Sequence, residues 1–123
     1  MNVNINTMED LLYWYSAHVD RIIDGDTVVF SDLDLGFELV FKNKHGRLLG
    51  INAPELHAKD EETRFKANVS KEYLALRLTG QDVIIHSKEV DSFGRVLCEV
   101  YLKDEYINQT ILAEGYAVVF EPK

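Results

Sequence analysis

The sequence predicts a mainly β protein in which five short strands close into a barrel and two to three α-helices pack against it. Short runs of alternating apolar and polar residues are separated by turns rich in Gly and Asp. A helical segment follows the third strand, and a shorter one follows the fifth. A flat sheet of five strands would leave two exposed edges, which closure reduces. The pattern is typical of a five-stranded OB-fold barrel.

The first three strands are predicted within residues 19–51. Residues 19–30 form a strand interrupted by a bend at Asp24-Gly25-Asp26, where glycine suits a bulge or tight turn because it tolerates positive φ. Apolar and polar residues alternate over 37–41, which predicts a half-buried strand. A turn over 42–46 then leads into a third strand over 47–51.

The first helix is predicted to begin after Asp60 and to run through Leu78. Asp60 is a suitable N-cap, and Gly80 provides a C-terminal stop. Its core-facing stripe is predicted to be Phe65, Val69, Tyr73 and Leu76, which follow helical spacing.

Two further strands and a short helix complete the prediction. The fourth strand covers 83–87, and the fifth covers 95–102 with the clearest alternation. Cys98 lies in that alternation, so we interpret it as a buried, inert thiol. Asn108 is predicted to cap the short helix, which ends at Gly115.

The length of 123 residues suits one domain, over 18–123, with 1–17 as an N-terminal extension of that domain. The N-terminus lacks the basic and apolar regions of a secretory signal, and no apolar run has the length of a membrane span. We therefore expect an intracellular, cytoplasmic protein without membrane contact, and a monomer by default.

The net charge of −8 argues against a protein that coats nucleic acid nonspecifically, because such proteins are normally basic. It does not exclude an enzyme that concentrates a few arginines in one cleft. It predicts weak and salt-sensitive binding of any nucleic acid.

Two segments carry residues with candidate chemistry. Asp24 and Asp26 are two residues apart, so they form either a site for a hard divalent cation or a solvated turn. Glu55 follows Pro54 directly and is either a general base or an exposed loop carboxylate. Arg47 and Arg95 are either phosphate-binding forks or surface charges.

The four histidines have no metal-ligand spacing, and we interpret them as structural or exposed: they are His18, His45, His57 and His86. The aromatic run at 13–15 could stack on bases, but we favour a packing role.

The order of four motifs resembles the staphylococcal nuclease (thermonuclease-like) family over about residues 18–120. The motifs are Arg21-Ile22-Ile23-Asp24-Gly25-Asp26-Thr27-Val28, Arg47-Leu48-Leu49-Gly50-Ile51-Asn52-Ala53-Pro54-Glu55, Phe93-Gly94-Arg95, and Ile107-Asn108-Gln109 followed by Glu114-Gly115-Tyr116-Ala117. The family fold is an OB barrel with helices, which agrees with the strand pattern.

The resemblance implies calcium-dependent hydrolysis of DNA and RNA phosphodiesters. Carried over by position, Asp26 looks like a calcium ligand, Ala53 like a backbone-carbonyl ligand and Asp24 like an outer-sphere acid. Glu55 looks like the residue that activates water. Arg47 and Arg95 look like the phosphate-binding arginines.

Three departures from the family pattern affect this site. Asn52 stands where the enzyme that names the family has an aspartate ligand, so affinity for calcium should fall or another divalent ion should be preferred. Ser92 and Phe93 replace a Lys-Tyr pair, and residues 121–123 replace base-stacking tyrosines. Asp32 and Asp34 are candidates for a replacement carboxylate.

The leading hypothesis is a metal-dependent nuclease that acts on DNA, RNA or both. Asp26 and Asn52 would hold the cation, Glu55 would act as the base, and Arg47 and Arg95 would stabilise charge on phosphate. The alternative is a catalytically weak or inactive nuclease-like OB module that binds nucleic acid or a partner protein. The net charge and Asn52 motivate that alternative.

Overall fold

The fold is described for residues 5–120 from a computed structural model. The chain forms a short 3₁₀ helix, eight strands and two α-helices within this part. In chain order they are the 3₁₀ helix (Met8–Leu11), β1 (Trp14–Asp24), β2 (Thr27–Gly36), β3 (Leu39–Leu48), β4 (Ile51–Asn52), α1 (Glu61–Leu78), β5 (Asp82–Val90), β6 (Val96–Leu102), β7 (Glu105–Tyr106), α2 (Ile107–Ala113) and β8 (Val118–Val119).

Five of these strands close into the predicted barrel. The main sheet has the order β3-β2-β1-β5-β6-β7, and its neighbouring strands are antiparallel. A short parallel pairing of β3 with β6, from Gly46–Val96 to Leu48–Cys98, joins the two sides and closes the barrel. The prediction of a mainly β, OB-type barrel with helices is therefore confirmed.

The barrel interior is filled by aliphatic side chains from all five strands together with one aromatic ring, Phe30. Cys98 lies fully buried among them, and burial raises the pKa of its thiol to about 12. The interpretation of Cys98 as a buried thiol is thus confirmed. None of the helices in residues 5–120 is long and apolar enough to cross a membrane.

The Asp24-Gly25-Asp26 segment is the tight turn of a hairpin between β1 and β2, not a bend within one strand. Gly25 is buried and does not have the positive φ that we expected. A Cβ at Gly25 would lie 2.1 Å from the Ser70 Oγ and 2.7 Å from the Ala53 Cβ. Glycine is needed here because α1 and the loop after β4 pack directly against the turn.

The second and third predicted strands are one continuous strand, β3, so the predicted turn over 42–46 is wrong. The ladder with β2 runs without a break from Lys42, opposite Asp32, to Arg47, opposite Thr27. Residues 39–41 are in a strand as predicted, but their expected half-burial is wrong, because they and the turn at 37–38 form the exposed tip of the β2–β3 hairpin. Phe37 is 98% exposed there.

Helix α1 begins as predicted, since the Asp60 carboxylate accepts a hydrogen bond from the Thr63 backbone N–H at 2.9 Å. Of the predicted core-facing stripe, Tyr73 does pack against the core, but the prediction is wrong for the others: Phe65 is 69% exposed, Val69 37% and Leu76 82%. The buried face is Ala67, Ser70, Leu74 and Leu78. The small Ser70 side chain packs against Gly25 of the β1–β2 turn, and this contact lies on the buried face of the helix.

Helix α2 begins after Tyr106, so the prediction that Asn108 is its N-cap is wrong. The Asn108 side chain is buried and joins two elements instead. Its Oδ1 accepts a hydrogen bond from the Val100 N–H at 2.9 Å, and its Nδ2 donates to the carbonyls of Leu49 and Cys98. Asn108 therefore fixes the end of β3 against β6.

In the aromatic run at 13–15, Trp14 has the packing role that we favoured. The Trp14 ring stacks on the buried His86 ring, with centroids 4.1 Å apart. His86 contacts Glu99 through Nδ1 at 2.8 Å and the Leu12 carbonyl through Nε2 at 3.0 Å. This group ties the segment before β1 to the barrel wall.

Candidate nuclease-type active site

The β1–β2 turn presents a buried carboxylate, Asp26, at the mouth of the barrel. Asp26 is only 6% exposed. Its Oδ2 accepts a hydrogen bond from the Ala53 N–H at 2.8 Å, and its Oδ1 accepts one from the Thr27 hydroxyl at 3.0 Å. Its own backbone N–H donates to the Asp24 Oδ1 at 3.1 Å. The turn and the loop after β4 are therefore joined through one carboxylate.

Burial, and after it the side-chain hydrogen bond and the charge of the neighbouring Asp24, raise the pKa of Asp26 from 3.8 to about 6. The Ala53 N–H and the Arg47 guanidinium act in the opposite direction. The charged form of Asp26 is thus only partly compensated by the protein. Additional positive charge at this position would stabilise the carboxylate.

Arg47 lies near the end of β3 and is held rigidly. One terminal nitrogen, Nη1, donates to the carbonyls of Leu48 and Ile51, each at 2.9 Å. The other, Nη2, lies 3.2 Å from the Asn52 Oδ1 and 3.4 Å from the Asp26 Oδ2. One guanidinium therefore brings the oxygens of Asp26 and Asn52 to a common point.

Arg95 precedes β6 and faces the same region as Arg47, because the parallel β3–β6 pairing sets these strands side by side. Its Nε donates to the Asp91 Oδ2 at 2.8 Å, and its backbone N–H donates to the Asp91 Oδ1 at 3.0 Å. Within residues 5–120 its two terminal nitrogens make no hydrogen bond, and its side chain is 30% exposed. Arg95 can thus offer both nitrogens to an anion.

Arg47 and Arg95 line one cavity of about 310 Å³. Asp91, Ser92, Phe93 and Phe120 also line it. Sequence reasoning missed Asp91, which orients Arg95. The spacing of Asp91 before Gly94 and Arg95 is a typical Asp-initiated turn and is the signal that marks it.

Glu55 lies in the loop between β4 and α1 and is exposed. Its side chain makes no hydrogen bond or ion pair with the rest of the described chain, and it lines neither the arginine cavity nor the cavity beside Pro54. The structure thus brings Asp26, Arg47, Asn52 and Ala53 together. Arg95 lies near them because it lines the same cavity as Arg47. Glu55 is linked to this group only by its position after Pro54 in the sequence.

The oxygen atoms around Asp26 are of the types that bind a hard divalent cation. They comprise the Asp26 carboxylate and the Asn52 amide oxygen, and the Asp24 carboxylate accepts from the Asp26 backbone N–H, while Ala53 contacts Asp26 through its own N–H. In the described part of the chain, no three His, Cys, Asp or Glu side chains are arranged to hold a metal ion. A cation here would therefore take much of its coordination from water or substrate oxygens.

The three departures from the family pattern fall in different places. Ser92 and Phe93 line the arginine cavity, and the Phe93 ring centroid lies 5.4 Å from the Arg95 guanidinium. Asp32 and Asp34 line a different cavity with His18 and Asp82, so they do not replace a carboxylate at Asp26. Residues 121–123 lie outside the described residues.

Comparison with known proteins gives the family of the chain. Residues 46–123 match the family model described as staphylococcal nuclease homologue. The chain belongs to this family. The match includes Arg47, Glu55 and Arg95 and begins after Asp26.

Several characterised proteins are similar to this chain. It is 32% identical to the thermonuclease of Staphylococcus intermedius and 30% identical to that of Staphylococcus hyicus, each over 101 residues that cover 80% of this chain and 56% of the relative. It is 29% identical to endonuclease YhcR of Bacillus subtilis (strain 168) over 116 residues, which are 86% of this chain and 9% of that protein. The chain thus spans about half the length of the thermonucleases that it matches.

Proposed function

We propose that this chain is a metal-dependent nuclease that hydrolyses phosphodiester bonds of DNA, RNA or both. The observation that carries the proposal is the shared cavity of Arg47 and Arg95, with Asp26 and Asn52 held at the Arg47 guanidinium. Arg47 and Arg95 place two guanidinium groups in a cavity that Glu89 and Asp91 also line, so they supply its cationic donors to a phosphodiester in an otherwise acidic chain. The names of the similar thermonucleases and the endonuclease agree with this activity.

The arginines have distinct roles in this proposal. Arg95 offers its two terminal nitrogens as a fork to the non-bridging oxygens of the phosphate. Arg47 is held by backbone carbonyls, so its charge is fixed before substrate arrives. Such preorganised charge stabilises the negative charge that grows on phosphorus as water attacks.

Glu55 is the general base of the proposed reaction. Its exposed carboxylate is free to accept a proton from the attacking water, and Pro54 restricts the backbone that presents it. The attack forms the bond from water oxygen to phosphorus and breaks the bond from phosphorus to the leaving sugar oxygen, which takes a proton from solvent. The product ends implied by the family likeness are a 5′-hydroxyl and a 3′-phosphate.

A divalent cation would be held by the Asp26 carboxylate, the Asn52 amide oxygen and the Ala53 carbonyl, with Asp24 in its outer sphere. When bound, it would supply Lewis-acid polarisation of a phosphate oxygen. We propose calcium. Because Asn52 carries no charge, we expect weaker binding than a site with a second carboxylate would give, and another divalent ion can compete.

Cleavage of single-stranded DNA and RNA in the presence of calcium, manganese or magnesium tests the proposal. Glu55→Gln should lower the rate by roughly 10²- to 10⁴-fold, because a general base contributes about that much. Glu72→Gln is a matched control, since Glu72 is an exposed glutamate of α1 outside both cavities. Equal rates for the wild type and Glu55→Gln, or no cleavage with any of these ions, would refute the proposal.

The alternative is a nuclease-like module that binds nucleic acid or a partner protein without cleaving it. The net charge of −8 and the capture of the Asn52 oxygen by Arg47 favour this candidate. Stoichiometric binding with no turnover at any metal concentration would support it.

A further inference from the structure

A second cavity, of about 490 Å³, opens between α1 and the segment that follows α2. Its size lies within the range of small-molecule sites in proteins. Its walls are mainly apolar and aromatic, and they include Asn52, Pro54, Phe65, Val69, Tyr116 and Val118.

This cavity adjoins the proposed active site. Its residue Asn52 contacts Arg47, and its residue Ala53 donates to Asp26. The β4–β8 pair separates it from the arginine cavity: Asn52 and Val118 line the one, while Gly50 and Phe120 line the other. The two cavities therefore lie on either side of one short strand pair, and Asn52 links the second cavity to Arg47.

One wall of the cavity is an apolar face of α1 that the barrel does not cover. Phe65 and Val69 are four residues apart, so they lie on the same side of the helix. The buried side of α1 is a different one, formed by Ala67, Ser70 and Leu74. Phe65 therefore keeps its ring exposed beside the cavity instead of in the core.

The opposite wall is an aromatic ring that is already fixed in place. Tyr116 stacks on Tyr73 with ring centroids 4.0 Å apart and an interplanar angle of 14°. The Ser70 hydroxyl donates to the Tyr116 carbonyl at 2.9 Å. The position of Tyr116 is thus set without a ligand, which lowers the entropic cost of binding.

The residues that line this cavity carry a positive formal charge, whereas the chain as a whole is acidic. Lys66 is the charged residue among the described residues that line it, and none of these residues carries a carboxylate. The Lys66 amine also lies 3.3 Å from Glu62, on the exposed side of the helix. Aromatic surfaces with one ammonium group match a flat base attached to a phosphate.

We propose that this cavity binds the base of a nucleotide that flanks the phosphate held by Arg47 and Arg95, with Phe65 as the side chain that packs on the base. Lys66 faces a neighbouring phosphate. The inference rests on the proposed function for its ligand class, but it concerns binding and not cleavage.

Fluorescence anisotropy with a labelled thymidine octanucleotide, in EDTA and at low salt, tests this inference on the whole chain. Phe65→Ala should weaken binding by roughly 5- to 150-fold, the usual effect of losing one stacking side chain. Leu76→Ala is the control, because Leu76 is an exposed apolar residue of the same helix that does not line the cavity. Phe65→Ala should keep the wild-type melting temperature, since its ring is exposed.

An octamer of abasic sugar-phosphates separates base binding from phosphate binding. The wild type should bind it more weakly than the thymidine octamer, and Phe65→Ala should bind both octamers with similar affinity. Equal binding of the thymidine octamer by the wild type and Phe65→Ala, or no binding by the wild type at low salt, would overturn the inference. A chain that shows the Phe65 effect but never cleaves would refute the proposed function and leave this inference standing.

Discussion

Gly25 shows how one residue can be constrained by packing alone. Its position between Asp24 and Asp26 suggests conformational freedom, but its backbone lies outside the positive-φ region. The constraint is the lack of space beneath Ser70 and Ala53. A sequence pattern can indicate a local turn. It does not indicate which side chain from a distant segment packs against that turn.

Gly25→Ala should therefore destabilise the protein by about 1–3 kcal/mol, the usual cost of overpacking a filled site. The added methyl group must displace Ser70, whose hydroxyl holds the Tyr116 carbonyl. Urea unfolding of the single variants and of the Gly25→Ala/Ser70→Gly double variant measures the coupling. The cost of Gly25→Ala should be smaller when Ser70 is glycine, and an equal cost in both backgrounds would contradict this account.

The candidate site shows the same limit of prediction from the sequence for individual residues. Sequence motifs predicted Asp26, Arg47 and Asn52 as site residues, and the structure brings these three together. The contact by which Asp91 orients Arg95 is seen in the structure, although the Asp-initiated turn that precedes Arg95 marks it in the sequence. The roles of Glu55, Arg47 and Arg95 in catalysis stay predictions until the variants are assayed.

At the scale of elements, local signals set the ends of α1 but not its orientation. Asp60 caps the helix as its side-chain chemistry predicts. Both Phe65-Val69 and Ala67-Ser70 follow helical spacing, and hydrophobicity favours the first pair. The face of α1 that packs on the barrel carries the second pair, and Ser70 contacts Gly25 there, while Phe65 and Val69 line the proposed base-binding cavity.

The end of α1 is joined to β7 by an ion pair between Arg77 and Glu105. The hydrogen bond from Arg77, together with one from Thr110, lowers the pKa of Glu105 below its ordinary value of 4.5. A carboxyl group with a depressed pKa in the folded state stabilises that state above its unfolded pKa. This stabilisation is lost as the pH falls through the folded pKa.

Glu105→Gln should accordingly lower the free energy of unfolding more at pH 7 than at pH 3. The effect should be modest because the Glu105 side chain is partly exposed and solvent screens the pair. Urea unfolding at both pH values gives the comparison, with the exposed Glu72→Gln as the control. A difference between the wild type and Glu105→Gln that is the same at pH 3 and pH 7 would contradict the assignment.

At the scale of the whole molecule, closure depends on a short parallel contact. Three residue pairs between β3 and β6 complete the barrel. Asn108 supports this contact from α2 by bonding to the Leu49 carbonyl and to β6. The core, including Cys98, is enclosed as a consequence.

The reactivity of the Cys98 thiol tests whether the barrel is closed. Because the thiol is buried and its pKa is raised to about 12, it should resist a disulfide reagent at pH 8 in the folded protein. The rate of modification should rise with urea in proportion to the unfolded fraction. Rapid labelling without denaturant would show that the barrel opens locally at β6, contrary to the closed fold.

The sequence by itself determined the class of fold, the start of α1, the buried thiol and the family to which the chain belongs. These depend on alternation, capping chemistry and motif order, which are local along the chain. Only the tertiary structure decided which face of α1 is buried, why residue 25 is glycine, where Asn108 bonds, and how Arg47 and Arg95 come to share a cavity. Each of these is a contact between segments far apart in sequence, and such contacts depend on the available space once the barrel has closed.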